Sequence, residues 1–322
     1  MLLSAGLGSR FRPVTEAIPK PLFPYLNVPL AVAHLSALKR AGVSEAGVNL
    51  HHLANEVERH LRDCVTDLPE LRFFREPEIL GTAGALANAA ELFSADDFFV
   101  VNSDTAIEPD FGNLLARHRE TGRAATLLVV ENLAPHRYTP LQAEGNRIAR
   151  FGGDGKWPLL YTGVCVLSPR LLPGIPPGKR SLVADLWEPL LAAGREEIGW
   201  VLHEGPFSDL GRPSDFLRAS LEALERGGPF PDGSGRFEEG RRVLSFSAPP
   251  DSDLDSCVLG RARIGAGARV AESAVWEGAE IGFRVVITRC LVAGGRVPPG
   301  ARHENALLWG RPGETAAAYP LS

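Results

Sequence analysis

Gly6 and Gly8, in the stretch LSAGLGSRFRPVTEAIPKPLFP over residues 3 to 24, permit a tight turn whose N–H groups can point at phosphate oxygens without Cβ obstruction. Arg10 and Lys20 add full positive charges beside that turn. A bare G-x-G is a common turn, but the spaced set of Gly6, Gly8, Arg10, Pro13, Thr15, Pro19, Lys20 and Pro21 is far more specific. Further along, the apolar run FFVVNSD ends in Asp104, as expected of a central strand whose carboxyl end opens on a crevice. A carboxylate there is costly unless it is paired, and a hard cation such as Mg2+ removes that cost by taking carboxylate, phosphate and water oxygens together. The competing role for Asp104 is a helix N-cap, for which Asp110 stands nearer the helical stretch that follows.

The spaced loop resembles the signature of the sugar-1-phosphate nucleotidylyltransferases, and four later segments are similar to that family in the same order. REPEILGTAGAL (75 to 86) resembles its base-binding segment and VVNSD (100 to 104) its first metal site. YTGVCVLSP (161 to 169) resembles its sugar-binding strand, and FSDLGRPSDFLRA (207 to 219) the segment with a second metal-binding aspartate. The resemblance implies that Ala5, Gly6, Gly8 and Ser9 line the triphosphate, with Arg10 on the departing phosphates and Lys20 on the α-phosphate and sugar phosphate. It implies that Asp104 and Asp209 hold Mg2+, that Gly81, Thr82 and Gly84 meet the base, and that Thr162 and Gly163 face the sugar. Glu144 is a weaker sugar-hydroxyl candidate, as is Asp185. The Glu-Lys-Pro segment common in the family is absent, and only Lys156, in GGDGKWP, could replace its lysine.

Glu76 stands five residues before Gly81, where thymidylyl and some uridylyl members place a glutamine. A carboxylate only accepts, and guanine offers two adjacent donors, so Glu76 points to GTP and to mannose 1-phosphate as its co-substrate. The alternatives are a surface ion pair of Glu76 with Arg72 or Arg75, or uridylyl transfer to an amino-sugar or muramic acid phosphate. A non-catalytic, nucleotide-sugar-binding subunit would be marked by loss of Arg10, Lys20, Asp104 or Asp209, all of which are present. An added acyltransferase would need a longer coil and a histidine base within it, and only His303, towards the tail, lies beyond residue 250.

To position these residues, the first two-thirds of the chain alternates β-rich runs with helical patterns, which predicts an α/β, Rossmann-like, mostly parallel sheet. The chain starts almost inside its first strand, so either that strand is short or the start has been trimmed. Val258, Ile264 and Val270 recur every six residues, and Ile281 and Ile287 resume the step after a break near Trp276. That period predicts a short left-handed parallel β-helix. The expected boundaries are a catalytic domain over 1–226, a linker over 227–250, the β-helix over 251–310 and a tail over 311–322.

At 322 residues, with 44% hydrophobic and 23% charged residues and a formal charge of -5, the chain has the composition of a globular protein without a basic face for nucleic acid. Cys64, Cys165, Cys257 and Cys290 are isolated, which fits free thiols in a reducing compartment. No apolar stretch has membrane-spanning length, and a cytoplasmic protein is expected. His51 and His52 lack further ligands at metal spacing and read as structural. Open coil ends expose strand edges, from which a homodimer is expected.

Overall fold

The computed structural model describes residues 1–64, 66–93, 95–132, 134, 137–152, 159–194, 197–226, 236–237, 243–245 and 252–322. Lys156 and most of the expected linker lie outside the described residues. The chain forms two compact units, one of Met1–Leu7 with Ala31–Phe207, the other of Gly8–Leu30 with Ser208–Ser322.

The first unit is built on a nine-stranded sheet. Its strands are β1 (Leu2–Leu3), β2 (Glu45–Leu50), β3 (Glu70–Arg75), β4 (Phe98–Asn102), β5 (Ala125–Glu131), β6 (Leu141–Glu144), β7 (Arg147–Phe151), β8 (Leu159–Leu167) and β9 (Ile198–Leu202). The order is β3-β2-β1-β4-β8-β5-β9-β7-β6. β3, β2, β1 and β4 are mutually parallel, and so are β5 and β9. β8, however, runs antiparallel to both β4 and β5, and β7 antiparallel to β9, so the sheet is mixed rather than mostly parallel. Helices α1 (Leu30–Arg40), α2 (Ala54–Arg62), α3 (Gly81–Asn88), α4 (Phe111–Thr121) and α5 (Glu188–Ala192) accompany the sheet. Ala125–Val130 is buried throughout, as its unbroken apolar run requires of a strand covered on both faces. Val100, Leu127, Val129, Cys165 and Trp187 form the centre of this core.

In the second unit, helix α6 (Pro213–Glu225) packs on the strands Asp253–Leu259 and Arg269–Val275 of a stack of parallel coils. Leu254 pairs with Val270 and Val270 with Ile287, so a coil takes 16 or 17 residues rather than three full hexads. The shortfall is made at corners where Ser256, Glu272, Arg289 and Asn305, at equivalent places in successive coils, turn in the left-handed region. Leu254, Leu259, Val270, Ile281, Ile287 and Val297 fill the coil interior, together with the free thiols Cys257 and Cys290. His303, within the stretch expected to be β-helix, belongs to the strand Arg302–Glu304, in parallel register with Ile287. Within the stretch expected to be linker, Val243–Ser245 adds a parallel strand to the first coil. At the other end, Ala317–Pro320 returns antiparallel on Ala306–Trp309.

Candidate functional site

Register aligns Leu3 with Asn49 and with Asn102, so the carboxyl ends of β1, β2 and β4 open on one edge of the sheet. The start of antiparallel β8 reaches the same edge, since Leu159 pairs with Glu131 at the end of β5. Ser4–Gly6, Glu76 and Asp104 thereby follow the carboxyl ends of their strands within the first unit, and Thr162 and Gly163, inside β8, lie beside the end of β4.

A chain of buried hydrogen bonds joins the start of the glycine loop to the expected base segment. The Ser4 N–H donates to Asn49 Oδ1 at 2.7 Å, and Asn49 Nδ2 donates to Glu76 Oε1 at 2.8 Å. Glu76 Oε2 accepts from the Leu80 N–H at 2.9 Å, and His51 Nδ1 bonds the Glu76 carbonyl at 2.8 Å. Glu76 is 3% exposed, while Arg72 pairs with Glu45 and Arg75 with Glu58, so the surface ion pair does not exist. Both Glu76 oxygens already accept from the protein, and its role becomes that of a bracket rather than a direct reader of guanine. The His51 contact bears out a structural role for that residue.

The glycines of the GTAG segment answer to the chain itself. A Cβ at Gly81 would lie 2.5 Å from the Arg180 carbonyl oxygen, and one at Gly84 would lie 2.4 Å from that of Gly178. Arg180 also accepts from the Ala83 N–H at 3.0 Å and donates its own N–H to Leu80 at 2.8 Å. The Thr82 hydroxyl accepts from the Leu182 N–H at 2.8 Å and ties this segment to the 178–182 stretch. Asp185 accepts from the Ser181 N–H in the same stretch and so shapes that turn.

Asp104 follows β4 and is half-buried, and Asp110, not Asp104, caps α4 through the Asn113 N–H at 2.9 Å. His34 of α1, 4% exposed, bonds the Thr105 carbonyl through Nε2 at 2.9 Å and so fixes the turn that carries Asp104. Burial holds the His34 pKa below its ordinary value, against the opposing pull of that bond and of Asp104. Thr162 is 1% exposed and donates to the Leu128 carbonyl at 2.8 Å. It pins the irregular step between Tyr161 and Cys165 and is not a sugar contact. Gly163, at φ 86°, leaves room for Asn102, whose Nδ2 would stand 2.6 Å from a Cβ. Glu144 pairs with Arg147, beside Gly199 at the start of β9. That is the edge opposite the strand ends above, which removes Glu144 from the candidate set.

In the second unit Gly8 adopts φ 59° and opens the short 3-10 turn Ser9–Phe11. A Cβ there would meet Thr15 Cγ2 at 2.8 Å, and the Thr15 hydroxyl donates to the Gly8 carbonyl at 3.1 Å. Ser9 and Arg10 are exposed, whereas Phe11 between them and the core is fully buried. Lys20 is only 8% exposed, because Pro19 and Pro21 fold it into a second 3-10 turn, Lys20–Leu22. A Cβ at Gly211 would lie 3.0 Å from both an Arg10 guanidinium nitrogen and Asp209 Oδ1. Gly211 thus leaves space that these two charged groups flank. Among the described residues no group of three or more His, Cys, Asp or Glu side chains gathers as a metal cage, and no helix is long and apolar enough to cross a membrane.

Asn49, Asn102, His34 and the 178–182 segment were not singled out from the sequence. A polar Asn49 closing the apolar run AGV before Leu50 was the available signal for the first.

Residues 1–153 match the family model described as nucleotidyl transferase. The chain is 29% identical to the probable mannose-1-phosphate guanylyltransferase 1 of Oryza sativa subsp. japonica, over 96% of this chain and 90% of that protein. It is 31% identical to the mannose-1-phosphate guanylyltransferase catalytic subunit beta of Danio rerio, over 70% of this chain and 64% of the relative, just under two-thirds of it. Among solved structures, HddC from Yersinia pseudotuberculosis complexed with GMP-PN aligns with TM-score 0.59 and 24% identity. That alignment covers 69% of this chain and 97% of HddC, and supports the α/β fold.

Proposed function

We propose that the chain is a sugar-1-phosphate nucleotidylyltransferase, in keeping with its nucleotidyl transferase match, with GTP and mannose 1-phosphate as substrates and GDP-mannose and pyrophosphate as products. The observation that carries the choice is the near full-length likeness to a plant protein named for that reaction. A phosphate oxygen of the sugar phosphate attacks the α-phosphorus of the triphosphate in line, and pyrophosphate leaves. Little covalent work falls to the protein, so positioning and charge must supply the rate.

Arg10, on the exposed side of its turn, takes the departing phosphates, and Lys20 takes the α-phosphate and the incoming sugar phosphate. Ala5, Gly6, Gly8 and Ser9 offer backbone groups to the triphosphate. The base lies along the Leu80–Gly84 segment, whose backbone is held by Glu76 and by Arg180. The donor set suits Mg2+: Asp104 and Asp209 are half-buried carboxylates at strand ends, the hard oxygen donors that the ion takes. When bound, the ion neutralises phosphate charge. The coils, with their three-sided turns and left-handed corners, support the reading of a left-handed parallel β-helix behind the catalytic fold.

Pyrophosphate release measured over a grid of triphosphates and sugar 1-phosphates with magnesium tests the proposal. The highest kcat/KM is expected for GTP with mannose 1-phosphate, and a preference for UTP would overturn the guanine reading.

A further inference from the structure

The hexad pattern breaks at Trp276, and the structure shows what occupies the break. Coil residues at equivalent hydrogen-bonding places, Gly260 and Ala293, are small, whereas Trp276 carries a large ring that is 3% exposed. Its neighbour Val275 fills the coil interior, while the Trp276 ring lies against Phe23 and Phe216, with ring centroids 4.7 and 5.5 Å away. Phe23 in turn meets Phe11 at 4.8 Å, and Phe216 of α6 meets both phenylalanines at 6.2 Å. Two polar ties run alongside: Asn27 Nδ2 donates to the Leu259 carbonyl at 2.9 Å, and the Tyr25 hydroxyl donates to the Ala219 carbonyl at 3.2 Å.

The two loop aromatics in this cluster adjoin the proposed phosphate cations. Phe11 follows Arg10 directly, and its N–H donates to the Gly8 carbonyl at 2.9 Å, closing the turn that presents Arg10. Phe23 closes the second turn by donating its N–H to the Lys20 carbonyl at 3.0 Å. Both turns are short 3-10 pieces with few bonds of their own, so their shape depends on what their buried rings rest upon. Among the described residues the Trp276 Nε1–H has no hydrogen-bond partner, so the ring acts through packing alone.

We infer that Trp276 is a positioning residue for catalysis: through Phe23 and Phe216 the C-terminal coil sets the two turns that carry Arg10 and Lys20. This rests on the reading of those two cations as the phosphate-binding groups. A displacement of about 1 Å in such groups costs on the order of a hundredfold in rate.

The test compares full-length Trp276→Ala, Trp276→Leu and Trp276→Phe with Val297→Ala, which opens the coil interior away from the aromatic cluster. At a temperature where all are folded, Trp276→Ala, or Trp276→Leu if the alanine variant does not fold, is expected to lower kcat by about tenfold or more. Amide hydrogen exchange over residues 8–22 should quicken in the same variant. Trp276→Phe should restore both, and Val297→Ala should lose melting temperature while keeping wild-type kcat and exchange at 8–22. Wild-type exchange at 8–22 in the Trp276→Leu variant, or an equal effect from Val297→Ala, overturns the inference. If the wild type transfers no nucleotide from any triphosphate, the proposed function fails instead, and the exchange measurement still decides the role of Trp276.

Discussion

A carboxylate with both oxygens bonded to donors tolerates little, and Glu76 is such a group. In Glu76→Gln one acceptor becomes an N–H donor facing either Asn49 Nδ2 or the Leu80 N–H. Asn49 cannot turn its amide to compensate without releasing the Ser4 N–H. The substitution is expected to cost about 1–3 kcal/mol of stability and to raise KM for the triphosphate, while the ratio of GTP to UTP use stays at the wild-type value. A reversed preference in that competition would return Glu76 to direct base reading. Asp104→Asn, by contrast, removes a charge at a strand end, and should cut kcat by about a hundredfold or more at unchanged melting temperature. Near-normal turnover with magnesium would dismiss Asp104 as a metal ligand. The difference between these residues marks how far sequence reaches. The turn at Gly8 and the strand-end place of Asp104 are legible because the backbone of the one and the apolar run before the other dictate them. Gly81 and Gly84 are not, because the segment pressing on them, Gly178–Arg180, lies about a hundred residues away.

Between α4, β5 and β8 a second buried histidine couples elements rather than substrates. His118 is 1% exposed, with Nδ1 bonded to the Thr126 hydroxyl at 2.9 Å and Nε2 to that of Ser168 at 3.2 Å. Ser168 donates to Asp97 at 2.9 Å, so its hydroxyl proton is committed and the cluster is a structural lock. Burial pushes the His118 pKa down, more than Asp97 raises it, with Arg170 and Arg119 adding to the depression. A folded pKa below the unfolded value of 6.5 means that the unfolded chain takes up the proton first as pH falls. Stability is therefore full above about pH 6.5 and declines below it until the folded pKa is passed. His34, depressed by burial in the same direction, adds to the slope. Melting temperatures from pH 7.5 to 5 should fall less steeply in His118→Gln than in the wild type, and equal slopes would exclude the lock. The helices and strands around His118 follow from apolar periodicity alone. The reversal of β8 does not, since its direction shows only in its pairing with β4 and β5 and not in any pattern within the strand.

For the whole molecule, the exposed end of a parallel stack is the hazard, because an open strand invites another chain to pair with it. The sequence read residues 311–322 as a tail, yet Ala317–Pro320 pairs along Ala306–Trp309, and Ala316 is packed into the coil core. Glu314 and Ala316 also exchange backbone bonds with Arg296, at 2.7 and 2.9 Å, so the last coil is closed on two of its sides. Composition gives little hint of this, since a short run of alanines and a tyrosine has no apolar period of its own and gains a structure only from the edge it covers. The expected homodimer consequently loses this end of the coil as its interface. Removing residues 311–322 would bare the edge of a strand whose Leu307 and Leu308 are buried. The shortened chain is expected to melt several degrees lower, in keeping with a loss of about 1–2 kcal/mol, and to associate further as its concentration rises in light scattering. The intact chain should keep one mass over the same range. An unchanged mass and melting temperature in the shortened chain would show that the returning strand covers nothing that needs covering.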